Sequence, residues 1–236
     1  MNPTVAQLFA LVLTLIGPAP KDTPRFFRLK PGDSIVAIGD SITQAGGYLR
    51  ATDAVLATRY PDMNIPPITN VGISGQKAED LVLRFEKDVV EKKPAVVTIS
   101  IGINDVWHRL ENPHDDEVLK NYKANVTKMV EQAQAASIRV ILLAPTLIQE
   151  APESEGNKRL KMYVDAEKEI AAEKKCQFVN LHETFLEALK KKPAEEKGNW
   201  LTSDGVHMKP LGDTIMAVGI LRALGVPDAK IAAKAE

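Results

Sequence analysis

The chain has 236 residues, with 30 Lys and Arg against 31 Asp and Glu and a formal net charge of -1. Hydrophobic residues make up 44% and charged residues 26%, a balance that suits one doubly wound globular domain. No basic cluster is interleaved with aromatic residues, which argues against a nucleic-acid partner. The single Cys176 rules out an internal disulfide and offers no metal-ligand spacing.

Val5 to Ile16 is apolar except for Gln7 and Thr14, and Gly17, Pro18, Ala19 and Pro20 follow. A short apolar stretch followed by small residues reads as a secretory signal peptide over residues 1–20, whereas a spanning helix needs about 20 apolar residues. That reading implies export to the periplasm or the medium, with no stable membrane insertion of the mature chain. The alternative is an N-terminal apolar helix that covers an edge of the fold in a cytoplasmic protein. Residues 21–236 then read as a single domain, opened by a polar lead-in from Lys21 to Pro31.

Pro31-Gly32-Asp33 is a turn signal ahead of the run Ile35 to Ile38, a buried strand of β-branched and small apolar residues. It stops at Gly39, and Asp40, Ser41 and Thr43 place small polar side chains at its C-terminal end. In open α/β sheets that end is where ligands bind. Tyr48, Leu49, Thr52, Val55 and Leu56 recur at helical spacing up to Pro61. Ile68 to Val71 is a second, short strand, followed by Gly72-Ile73-Ser74-Gly75. Ala78, Leu81, Val82, Phe85 and Val89 line a helix that Pro94 terminates.

Ala95 to Ile101 is a near-continuous apolar strand reaching Gly102-Ile103-Asn104-Asp105. Leu119, Tyr122, Val126, Met129, Val130 and Ala133 mark a long helix, and Ile138 to Ala144 the next buried strand. Ala151 to Gly156 reads as a polar loop, Leu160 to Ile170 as a helix, and Phe178 to Leu181 as the last strand. A helix fading into Lys190 to Gly198, a loop over Leu201 to His207, and a final helix with Leu211, Ile215, Val218 and Leu221 complete the chain. The tail after Pro227 is expected to fray. Strands alternate with helices throughout, which predicts a three-layer α/β domain with a flavodoxin-like parallel sheet and helices on both faces.

Four polar loops share one rim of that sheet or can reach it: Gly39-Asp40-Ser41, Ser74-Gly75-Gln76, Gly102-Ile103-Asn104-Asp105 and Asp204-Gly205-Val206-His207. Acyl transfer needs a nucleophile, a base, a group that orients the base, and donors for an oxyanion. Ser supplies a hydroxyl that is weak until a base takes its proton. An Asp three residues before a His can turn back to Nδ1 and leave Nε2 free. A glycine N–H approaches a substrate closely, and an Asn side chain adds an NH₂ donor.

These loops resemble the four blocks of the SGNH, or GDSL-type, esterase and lipase family, in the family's order from residue 39 to residue 207. Ile42 stands where the family name has Leu, and Asn70 to Gly75 looks like the second block. The resemblance implies the SGNH hydrolase fold and Ser41 as nucleophile, with His207 as base and then acid and Asp204 orienting it. It implies an oxyanion hole from Ser41 N–H, Gly75 N–H and the Asn104 side chain. It implies ester hydrolysis through an acyl-enzyme, with neither a metal nor an organic cofactor.

Gln44, Trp107 and His108 lie near the nucleophile in sequence order and are candidates for the substrate pocket. Asp40 and Asp105 read as loop-holding carboxylates. His182 is the rival base but has no acid at a useful spacing, and Cys176 reads as a packing residue. The mixture of aromatic and hydrogen-bonding groups suits a polar alcohol, so the expected substrate is a small-molecule or glycan ester, foremost an acetylated carbohydrate. The runner-up is a lysophospholipase or general acyl-ester hydrolase. Two further readings are an inactive module that binds acylated glycans and a nucleotide or flavin protein. The last is disfavoured because Gly39 to Gly47 lacks both phosphate-binding glycine patterns. The oligomeric state is not legible in the sequence.

Overall fold

The computed structural model describes residues 5–18 and 28–232. The start of the lead-in at Lys21 and the leader's junction at Ala19-Pro20 lie outside the described residues. Five strands form one parallel sheet: β1 (Ile35–Gly39), β2 (Thr69–Asn70), β3 (Val96–Ser100), β4 (Arg139–Leu143) and β5 (Gln177–Val179). Their spatial order is β2-β1-β3-β4-β5. Every residue of β1 and β3 is buried, as a sheet covered on both faces requires.

The helices are α1 (Val5–Ile16), α2 (Ser41–Ala45), α3 (Gly47–Arg59), α4 (Ala78–Asp88), α5 (Ile103–Trp107), α6 (Asp116–Ala135), α7 (Glu155–Lys174), α8 (Leu181–Leu189), α9 (Pro210–Ala223) and α10 (Asp228–Ala232). Right-handed crossovers put α3 on one face and α4, α6 and α7 on the other. The packing agrees: α6 lies against α4 and α7, while α9 lies against α3. This is the expected three-layer α/β architecture.

The strand order decides where a ligand can sit. Chain direction across the sheet reverses between β1, which leads outward to β2, and β3, which leads the other way to β4. A crevice opens at such a switch point, outside the carboxyl ends of the two strands. Val36 to Gly39 runs in register with Val97 to Ser100, so the loops after Gly39 and after Ser100 flank that crevice.

Several elements differ from the sequence reading. The second strand shrinks to Thr69–Asn70, because Pro66 and Pro67 cannot donate to a ladder. Val71 N–H and Ile73 N–H still bond to the Ala37 and Gly39 carbonyls, which carries the pairing forward to the rim. The fourth helix ends at Asp88, ahead of Pro94, in a short 3-10 turn over Val90–Lys92. The tail after Pro227 does not fray at once: α10 follows, and Ile231 is buried. The loops after β1 and β3 contain the short helices α2 and α5, too brief for periodicity to reveal.

Helix α1 packs against α8, α9 and α10, with Phe9, Val12 and Leu15 buried. Its last carbonyls, which have no partner inside a helix, accept from Lys191 Nζ at Thr14 and Leu15, and Arg222 Nη2 reaches the Gly17 carbonyl. Among the described residues no helix is long and apolar enough to cross a membrane.

Candidate active site

The site begins at the end of β1. A side chain on Gly39 would meet Thr43 Oγ1 at 2.2 Å and the Ser100 carbonyl at 2.5 Å, so the strand can turn into α2 only with glycine there. Asp40 then caps α2, its Oδ1 accepting from Ile42 N–H at 3.0 Å. Capping is done by Asp40 and not by Ser41, whose hydroxyl is left for other partners. Asp40 is 2% exposed, and burial pushes its carboxyl up to about 6 against the pull of that N–H and of nearby His207.

Ser41 Oγ lies 2.9 Å from His207 Nε2, and His207 Nδ1 lies 2.6 Å from Asp204 Oδ2. The second Asp204 oxygen accepts from Val206 N–H at 2.9 Å and His207 N–H at 2.8 Å. Burial would raise the Asp204 carboxyl, but the His207 N–H, the His207 ring and the Val206 N–H outweigh it and hold it down to about 2. Asp204 is therefore an anion across the physiological range. A carboxylate at Nδ1 fixes the ring so that Nε2 can accept a proton. Hydroxyl, imidazole and carboxylate stand in one hydrogen-bonded line, which is the arrangement that activates a serine for acyl transfer.

Donors surround the other side of Ser41. Among the described residues neither Ser41 N–H nor Gly75 N–H has a hydrogen-bond partner. Gly75 has φ of +77° and nothing near where a Cβ would be, so glycine is needed there for conformation and not for space. Asn104, 2% exposed, follows Gly102, whose φ is +123°. It donates one Nδ2 hydrogen to the Gln76 carbonyl at 3.0 Å. Behind it, Asp105 accepts from Ala78 N–H, and burial pushes its carboxyl up to about 7. Both aspartates hold loops, as their sequence context implied.

The remaining candidates divide. Trp107 meets His207 edge to face, with centroids 6.1 Å apart, and His108 is 5.7 Å from Trp107. Trp107 thus borders the imidazole, and His108 is exposed beyond it. Gln44 Oε1 accepts from Ser74 N–H at 2.8 Å, so its carbonyl end braces the second loop and only its NH₂ end can meet a ligand. His182 is buried and bonds to the Thr146 carbonyl through Nδ1 at 2.6 Å; burial lowers its pKa. Cys176 is buried and its thiol is pushed up to about 12 by burial, which makes it a poor nucleophile.

Residues the sequence reading missed hold the Asp204–His207 loop. Glu150 accepts from Trp200 N–H, Leu201 N–H, Thr202 N–H and Thr202 Oγ1, all between 2.6 and 2.8 Å. Gln149 N–H bonds the Gly205 carbonyl at 2.8 Å. Two cavities, of about 760 Å³ between α6 and α7 and about 460 Å³ beside Arg109, Arg159 and Tyr163, do not include Ser41 or His207. Among the described residues no cluster of three or more His, Cys, Asp or Glu is placed to hold a metal ion.

A sequence profile of the GDSL-like lipase/acylhydrolase family matches residues 37–215. An acetylxylan esterase from Geobacillus stearothermophilus is 32% identical over 217 residues, covering 84% of this chain and 96% of that protein. The lipoprotein YqeF of Bacillus subtilis is 26% identical over 80% of this chain and 88% of its own length. The crystal structure of a catalytic mutant of Axe2, an acetylxylan esterase from Geobacillus stearothermophilus, superposes with a TM-score of 0.76 at 31% identity. It covers 86% of this chain and 98% of that one.

Proposed function

The chain belongs to the GDSL-like lipase/acylhydrolase family and is a carboxylic ester hydrolase, and from that premise we propose that it removes acetyl groups from carbohydrates through a Ser41 acyl-enzyme. The observation that carries the mechanism is the line Ser41 Oγ, His207, Asp204, with contacts of 2.9 and 2.6 Å. His207 Nε2 takes the Ser41 proton as Oγ attacks the acyl carbon. The carbonyl oxygen becomes an oxyanion held by Ser41 N–H, Gly75 N–H and Asn104 Nδ2. Collapse breaks the bond to the sugar oxygen, which leaves with the proton from His207. Water then gives a proton to His207 and attacks the acetyl-enzyme, and acetate departs as Ser41 recovers its hydrogen.

Similarity to an acetylxylan esterase over most of both chains supports the acetyl-carbohydrate reading. So does Trp107, which offers a sugar an aromatic face beside the base. Gln44 and His108 complete the proposed edge for the alcohol half. The test compares kcat/KM on aryl acetate, butyrate and octanoate esters, then measures acetate release from acetylated xylo-oligosaccharides. Preference for acetate together with release from the glycan supports the reading. Preference for octanoate with no release from the glycan overturns it in favour of a lysophospholipase or general acyl-ester hydrolase.

We read residues 21–236 as the catalytic domain. The stretch before it supports two readings. Its apolar run and the similarity to a lipoprotein favour a leader and export; the buried face of α1 on α8 and α9 favours a retained helix. N-terminal sequencing of protein made in a secreting host separates them: a mature start near Lys21 gives the leader, an intact start the helix.

A further inference from the structure

Two of the four rim loops meet at one side chain that touches none of the reacting atoms, and a residue of the second of them also holds the third. Arg84, on the second turn of α4, has a side chain only 14% exposed. Its Nε donates to Gln76 Oε1 at 2.7 Å and its Nη1 to the Val71 carbonyl at 2.7 Å and to Asp88 Oδ2 at 2.7 Å. Its Nη2 reaches the Gly39 carbonyl at 3.3 Å. Gly39 lies two residues before Ser41. Val71 leads into Gly75. Gln76 follows Gly75, and its own carbonyl is the acceptor that fixes Asn104.

We propose that Arg84 is the positioning residue that sets the spacing of the oxyanion hole, by tying the Ser41 and Gly75 loops to one planar guanidinium and bracing Gln76, whose carbonyl holds Asn104. The inference rests on the acyl-enzyme reading above. The three donors come from three separate segments of chain, and β2, which carries the second, has only two residues in the sheet. Backbone pairing continues through Val71 and Ile73 to β1 but stops short of Gly75, so the donor itself lies beyond the ladder. A guanidinium presents five N–H groups in a rigid fork, and Asp88 neutralises its charge at 2.7 Å. A lysine has one flexible ammonium and cannot hold three acceptors at fixed separations. Because a displacement of about 1 Å at a reacting centre can cost about 10²-fold in rate, loss of this fork should be read in kcat.

The experiment compares wild type, Arg84→Lys and Gln76→Ala on an aryl acetate. Active sites are counted by fluorophosphonate titration, so that kcat is expressed per competent site and unfolded protein does not contribute. Expected for Arg84→Lys is a fall in kcat of roughly 10- to 100-fold with KM within about twofold. Gln76→Ala, which cuts only the link toward Asn104, should show a smaller fall of the same kind, and it decides alone if the lysine variant does not fold. Wild-type kcat per site in folded variants, or a rise in KM with kcat unchanged, overturns the inference. Wild-type protein that neither titrates nor hydrolyses the ester overturns the functional reading instead, so the two failures are distinct.

Discussion

The two halves of the site are built differently. Ser41 and Asn104 stand on loops that emerge at the switch point of the sheet, over strands that are wholly buried, and Gly75 stands on the loop after the exposed edge strand β2. Their supports lie inside the fold: Asp40 and Asp105 beneath the loops, and Arg84 between them. Asp204 and His207 stand on a loop that belongs to no strand of the sheet, with side chains 47% and 36% exposed. That loop is tethered from outside by Glu150 and Gln149. In the proposed mechanism the half that must match the transition state is braced from inside the fold, and the half that shuttles a proton needs only to hold a ring by its far nitrogen, for which a short loop with internal hydrogen bonds suffices.

If this division is right, the largest effects come from the line that joins the halves. Ser41→Ala and His207→Ala should each lower kcat by about 10⁶-fold, as members of a unit that acts together, with circular dichroism unchanged. Asp204→Asn should cost about 10⁴-fold, because the ring survives in the wrong tautomer. Steady-state kinetics that place Asp204→Asn level with wild type would detach the carboxylate from the mechanism.

On the sheet side, Asn104→Ala should lower kcat by roughly 10²–10³-fold with little change in KM, because the donor acts mainly on the transition state. A change confined to KM would make Asn104 a substrate-binding group. On the loop side, Glu150→Ala removes a charged acceptor shared by four donors and should cost about 2 kcal/mol. A melting scan should read that as a drop of about 4–8 °C. No drop would mean that water replaces the carboxylate fully and that the tether is not needed.

The smallest effect separates the halves by pH. Burial raises Asp105 to about 7, so the folded chain keeps a proton that the unfolded chain, titrating near 3.9, has already lost. The stability this group contributes is fully present below about pH 4 and is lost as the pH rises through about 7. Asp40 and Asp213, raised by burial to about 6, act in the same direction, while depressed Asp204 acts only in more acidic solution. Melting temperature should therefore fall from pH 5 to pH 8, and Asp105→Asn should flatten that slope. An unchanged slope would place the titrating group elsewhere.

The four loops were legible because each is a local event. An apolar run breaks at a glycine, and small polar residues follow within three positions. The strands were legible for the same reason, since a doubly covered sheet writes Ile35 to Ile38 as an unbroken apolar stretch and Ala95 to Ile101 as a near-continuous one. What was not legible acts over long sequence distances. Arg84 reads as a surface charge four residues before Asp88, and only folding brings Gly39, 45 residues away, to its guanidinium. Glu150 sits in a polar stretch whose meaning depends on residues 200 to 202, and Gln44 turned its carbonyl toward Ser74, which no spacing announces. The family resemblance supplied the expected roles of the rim residues without supplying these supports.

The central claim is that Ser41 carries the acyl group, and covalent labelling tests it most directly. The protein is treated with a fluorophosphonate, digested, and mapped by mass spectrometry. The account predicts one adduct per chain, on Ser41, formed far more slowly in Asp204→Asn and His207→Ala. An adduct on another residue, or no adduct in protein that still hydrolyses an aryl acetate, would contradict it.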